Sequence, residues 1–235
     1  MQNRLLAALP PDESARLDPH LTLVPMTQGM VIDDAEDHLY FPVDCVVALL
    51  YELSDGASAE ISLVGNEGVA GIGLSIGGIP TLNRAVVQTA GHAQKVRATV
   101  LHEEFNRDDK LQRLLFGYTR ALFAQMAQTA ACNLSHPVHQ RMCRWMLLTL
   151  DRVVSDRLVM ERDLVASILG VPTHEVDDAV AKLARLGAVS GSRSQMTVLN
   201  RPQLERLCCE CYALVKHESE RLLHPVSHHK LRSII

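Results

Sequence analysis

The chain has 235 residues, of which 47% are hydrophobic and only 4% aromatic, and it carries a formal net charge of −4 at pH 7. That length allows two small domains or one large one, with an aliphatic core big enough to need no covalent staples. The acidic balance does not favour a nucleic-acid binder and does not exclude one, because a local basic patch can outweigh the average.

No run of about 18 apolar residues appears, so no span and no membrane partner is expected, and the first residues lack the apolar core of a secretory signal. A cytoplasmic location follows as an expectation. Cys45, Cys132, Cys143, Cys208, Cys209 and Cys211 are then expected as thiols.

Residues 3–9 read as one or two helical turns stopped by Pro10 and Pro11, and residues 12–17 as a second short helix. From about residue 21 to 97 short β-branched runs alternate with Gly, Pro, Asn and Asp. The runs fall at 21–24, 43–53, 60–64 and 85–88, and Asp55-Gly56 suits a hairpin turn. Strands at this spacing point to a small β-roll.

From Leu111 the period becomes helical. Leu111, Leu115, Tyr118, Leu122, Gln125, Thr129, Cys132 and His136 fall four and three apart, which is an a/d seam of a dimerisation helix over 111–136. Gln125 and Thr129 are polar seam positions of the kind that set register. Leu114, Ala121 and Met126 widen the apolar stripe, so the helix can also touch its own domain. Pro137 marks a hinge.

Residues 138–153 read as a helix with Met142, Trp145, Met146 and Leu148 inward. A short helix at 161–169 closes on Gly170, and a second, opened by Pro172, runs to 186 and closes on Gly187, which makes a helix-turn-helix. Residues 189–199 read as two short strands with a polar tip at Arg193, a wing, and 203–223 as a final helix.

This order resembles the Crp/Fnr family of bacterial transcription regulators. The residues that carry the likeness are Leu164 to Val171, then Val176, Val180, Leu183 and Leu186-Gly187-Ala188-Val189, with Tyr40-Phe41-Pro42, Gly56, Gly68 and Arg84-Ala85-Val86-Val87-Gln88 earlier. The resemblance implies an α+β fold: a cyclic-nucleotide-binding-like β-roll over 1–110, a dimerisation helix over 111–136, a winged helix-turn-helix over 137–223 and a tail over 224–235. It implies a homodimeric transcription regulator on a pseudo-palindromic operator, with RNA polymerase and a small-molecule effector as further partners.

Two departures shape the expected sites. Gly71 stands where the family cassette has its ribose-binding carboxylate, and Arg84 stands in register for the cyclic phosphate, with Ala85 in place of a hydroxyl residue. Cyclic AMP is therefore not expected to bind. In the recognition helix Thr173 aligns with the first base-reading Arg, His174 with the Glu and Asp178 with the last Arg. Lys182, Arg185 and Arg193 are left to attract phosphates. Residues 158–200 carry four basic side chains against five acidic, a net −1, which is poor for phosphate contact.

The acidic recognition helix supports an alternative, a regulator fold that has lost direct operator binding and works through protein partners. No triad, phosphate loop or carboxylate pair argues for an enzyme. Cys208, Cys209 and Cys211 read as helical neighbours pointing apart, so neither metal nor cofactor is expected, and His224, His228 and His229 read as a solvated tail.

Overall fold

The computed structural model describes residues 2–32, 37–52, 54, 58–72, 84–107, 109–153, 155, 157–159, 161–191 and 195–223. The first half holds α1 (Arg4–Ala7), α2 (Pro11–Leu17), β1 (Thr22–Met26), β2 (Val31–Ile32), β3 (His38–Pro42), β4 (Val46–Glu52), β5 (Ser58–Val64), β6 (Arg84–Thr89) and β7 (Gly91–Arg97). Two antiparallel sheets result, of order β1-β7-β3 and β2-β6-β4-β5. Asn3 pins the start of the chain to this roll. Its Oδ1 accepts from the amides of Leu5 and Leu6, which caps α1, and its Nδ2 donates to the carbonyls of Pro42 and Gly68 at 2.9 Å. Asp55 and Gly56 lie outside the described residues.

Alternation along the strands sorts two cores. Val47, Leu49, Ala85 and Val87 turn into the roll with Leu39, Phe41, Val64, Ala93 and Val96. Val46, Ala48, Leu50 and Val86 face the other way and are covered by the C-terminal half of the chain. Burial on both faces explains why 43–53 reads as a continuous apolar run rather than as hydrophobic-polar alternation.

The second half runs α3 (Ala98–Arg107), α4 (Asp109–Ser135), α5 (Val138–Leu150), β8 (Arg157–Val159), α6 (Arg162–Leu169), α7 (Thr173–Arg185), β9 (Val189–Gly191), β10 (Gln195–Val198), α8 (Arg201–Leu207) and α9 (Cys211–Leu223). The last three strands form a sheet of order β8-β10-β9, so the wing strands gain a partner from before the helix-turn-helix. Pro137 breaks the chain between α4 and α5 with φ −67° and ψ 154°, as a proline at that point requires.

The predicted dimer seam needs correction. Leu111, Leu115 and Tyr118 are buried in the roll core of their own chain, Leu122 packs beside them, and Gln125 and Thr129 are buried too. The Tyr118 hydroxyl donates to the carbonyl of Val69 at 2.9 Å. Its ring fills the space over Gly68, where a Cβ would come within 2.5 Å of it. The periodicity is real, but it serves packing onto the roll.

The hinge helix α5 is buried along nearly its whole length on the outer face of the four-stranded sheet. The Trp145 indole donates to Gln88 Oε1 at 3.0 Å, and Gln88 Nε2 donates to Thr149 Oγ1 at 2.8 Å. Past α5, Arg152 pairs with Glu67 at 2.6 Å, both nearly inaccessible. Nearby Glu60 is buried, and desolvation pushes its carboxyl up to about 8 against the pull of Arg144 and Arg152.

Candidate nucleic-acid interface

Helices α6 and α7 meet at a turn with a clear local cause. Gly170 takes φ +60°, a left-handed conformation that a Cβ makes costly, and the Val171 amide bonds back to the Ala166 carbonyl at 3.1 Å. Gly187 ends α7 in the same way, with φ +69° and the Ala188 amide on the Leu183 carbonyl at 3.1 Å. Pro172 precedes the first helical residue as the cap position instead of occupying it. The guanidinium of Arg141 donates to the carbonyl of Leu169, which places a cation at the C-terminal end of α6.

Val176, Ala179 and Leu183 turn inward against α5 and α6. That leaves His174, Asp177, Asp178, Lys182 and Arg185 exposed on α7. Thr173 is half-buried and donates to Asp163 Oδ1 at 3.1 Å, so its hydroxyl ties α7 to α6. Arg162 forms an ion pair with Asp177. Lys182 Nζ lies 3.1 Å from Nε2 of His139, and burial together with this ammonium lowers the His139 pKa. Val138 and His139 line a shallow groove with Glu175, Asp178, Ala179 and Lys182. Arg193 lies outside the described residues. Of the six residues expected at DNA, five therefore sit on one helix, four of them exposed. Arg162, Asp163 and His139, which sequence patterns did not single out, set the charge around them.

The expected effector residues do not converge. Arg84 shares the face of Val86 and Gln88, outside the roll, and pairs at 3.7 Å with Glu52 while half exposed. Strand alternation puts its side chain on the opposite face from Ala85 and Val87, so it does not project into the roll interior as a cyclic phosphate would require. Gly71 takes φ +86°, and a Cβ there would lie 3.0 Å from the carbonyl of His38. The glycine is thus a backbone requirement where the chain bridges Tyr40 and Ala70.

The cysteine reading also needs correction. Residues 203–223 do not form one helix, because α8 ends at Leu207 and α9 begins at Cys211. Cys208 and Cys209 lie in the break, so their directions do not follow helical geometry. Cys209 and Cys211 meet Cys132 and His136 at the end of α4, and the four ligand-type atoms lie within 4.8 Å of one another. Hydrogen bonds from Cys132 and Cys208 hold the Cys209 thiol well below the usual thiol range. A visible signal was the i, i+4 spacing of Cys132 and His136 on one helix face beside a Cys-x-Cys.

No protein-family profile and no curated protein sequence matches the chain. Solved structures do. A Crp/Fnr-family transcriptional regulator from Eubacterium rectale superimposes with a TM-score of 0.67 at 12% identity, over 86% of this chain and 96% of that one. FixK2 from Bradyrhizobium japonicum gives 0.64 at 21% identity, over 80% and 98%. The c-di-GMP-responsive global regulator CLP from Xanthomonas campestris gives 0.62 at 15% identity, over 80% and 99%. The chain has the fold of the Crp/Fnr regulators.

Proposed function

We propose that this protein is a DNA-binding transcription regulator that works as a homodimer and does not use its roll as a cyclic AMP site. The observation that carries the reading is the exposed outer face of α7. It presents His174, Asp178, Lys182 and Arg185 from a helix bounded by two glycine-closed turns.

The dimer contact belongs to the outward face of α4. Phe116 is 52% exposed, Phe123 67% and Leu134 90%. With Arg120, Ala127 and Ala130, also exposed, these residues fall four and three apart, a second heptad seam two positions from the first. A second copy of the same helix is the occupant that such a self-complementary stripe fits.

Effector binding in the manner of a cyclic nucleotide lacks both of its usual groups, since Gly71 offers no carboxylate and Arg84 points away from the roll interior. Calorimetry with cyclic AMP is expected to show no binding at micromolar concentration, and binding there would overturn this part of the reading.

The test for DNA is selection from random duplexes with the full chain. The expected result is a two-fold site with half-sites about one helical turn apart. Binding is expected to fall with salt at about 0.9 log unit per phosphate contacted, on a shallow line because cations are few. Asp178→Arg is expected to raise affinity for all sequences. Failure to select any site with the dimer intact would favour a second reading, action through a protein partner. That reading rests on Asp177, Asp178 and Glu175 on the recognition helix, with Arg162 already neutralised.

A further inference from the structure

We propose that Cys132, His136, Cys209 and Cys211 form a structural zinc site that ties the end of α4 to the junction of α8 and α9, across the Pro137 hinge. Three thiolates and one imidazole are a common donor set for tetrahedral zinc, with Zn–S of about 2.3 Å and Zn–N of about 2.0–2.1 Å. Those bond lengths make the edges of the tetrahedron about 3.8 Å between sulfurs and about 3.6 Å between sulfur and nitrogen. The observed separations are 3.6 Å between the Sγ atoms of Cys132 and Cys209, and 3.5 Å between Cys211 Sγ and His136 Nδ1. The sulfurs are too far apart for a disulfide, whose S–S bond is about 2.05 Å.

The surroundings fit a ligated metal independently of those distances. His136 turns Nδ1 towards the cysteines and Nε2 towards Glu210 at 3.4 Å. A carboxylate on the far nitrogen is what fixes the tautomer of a metal-bound histidine. Gln128 Nε2 donates to Cys211 Sγ at 3.0 Å, a bond that a thiolate strengthens. Three thiolates, a neutral imidazole and a divalent cation leave one negative charge. Arg144 is buried nearby, bonded to Thr129 one turn before Cys132, and its Nε has no acceptor among the described residues. Softness of the donors and lack of an open carboxylate position favour zinc over magnesium or calcium.

The site would do more than fill space. His136 immediately precedes the hinge proline, and Cys209 and Cys211 flank Glu210, whose carboxylate faces His136 Nε2 at 3.4 Å. Binding needs all three cysteines as thiolates and joins segments more than 70 residues apart. It would thereby fix how the C-terminal helices sit against the long helix.

The full-length protein, purified under reductant and without added metal, is expected to contain one zinc per chain. Replacement by Co2+ is expected to give the visible bands of tetrahedral cobalt and thiolate charge-transfer absorption sized for three sulfurs. Cys132→Ser and Cys211→Ser are each expected to weaken Co2+ binding at least tenfold, and Glu210→Gln by about 10–100-fold with an unchanged spectrum. Cys143→Ser, outside the cluster, is expected to change neither stoichiometry nor spectrum. Folded, reduced protein that takes up neither Zn2+ nor Co2+ would overturn the proposal. So would iron with labile sulfide in place of zinc, or uptake unaffected by Cys132→Ser and Cys211→Ser. If those variants do not fold, the charge-transfer intensity of the wild-type cobalt protein decides, since fewer than three thiolates refutes the site.

Discussion

Arg152→Met tests whether one buried ion pair locks the end of α5 to the β-roll. The aliphatic stem of Arg152 lies over Gly65, where a Cβ would come within 2.5 Å of it, and methionine preserves that contact. What the change removes is the guanidinium, which pairs with Glu67 through Nη2 at 2.6 Å and Nε at 2.7 Å and donates through Nη1 to the Leu148 carbonyl at 2.7 Å. The side chains of Arg152 and Glu67 are 5% and 10% exposed, so water cannot replace the cation well. Breaking such a pair from one side costs about 3–5 kcal/mol, mostly as the penalty on the stranded carboxylate. At about 2–4 °C per kcal/mol for a chain of this size, the smaller figure lowers Tm by roughly 6–12 °C. The assay is urea unfolding followed by fluorescence. Trp145 is the single tryptophan, and it sits at the helix–sheet contact bonded to Gln88. Adding Glu67→Gln to Arg152→Met is expected to restore at least half of the loss, because the stranded charge is gone. A loss below about 1 kcal/mol, or strict additivity in the double-mutant cycle, would refute the reasoning.

The two faces of α4 are expected to respond oppositely. Leu115→Ala, at a fully buried position of the roll core, is expected to cost about 2–5 kcal/mol and leave self-association intact. Phe123→Asp is expected to yield a folded monomer in analytical ultracentrifugation, and a variant that stays dimeric would remove this face from the interface. Glu60 carries a raised pKa of about 8, so its carboxyl stays protonated in the fold. The native state therefore binds a proton that the unfolded state releases, and stability is expected to fall as pH rises from about 4.5 to 8, at up to about 1.4 kcal/mol per unit. Glu60→Gln is expected to remove that slope and to stabilise more at pH 8 than at pH 5, and parallel stability curves would contradict it. Gly71→Glu, which restores the carboxylate of the family cassette, is expected to lose about 1–2 kcal/mol from a left-handed backbone and to gain no cyclic AMP binding in calorimetry.

Local rules in the sequence were enough for the main helices and their order, though not for β2, β3, β7, α3, β8 or the break between α8 and α9. The 3.6-residue period marked α4, Pro137 ended it, and Gly170 and Gly187 closed the two helices of the helix-turn-helix, because each acts through backbone sterics within a few residues. What the sequence could not decide was partnership. Both faces of α4 carry apolar residues at heptad spacing, one with Leu111, Leu115 and Tyr118, the other with Phe116, Phe123 and Leu134. Only the docking of Tyr118 over Gly68 shows which face the roll takes and which it leaves outward. Arg84 matched a phosphate-binding register along the chain, but strand alternation set its side chain on the outer face of the sheet. The sequence displayed Cys132 and His136 on one turn and Cys209 and Cys211 far downstream. Their meeting depends on the break between α8 and α9 and on the packing of α9 along α4, and contacts between residues 77 apart exist only once the chain has folded.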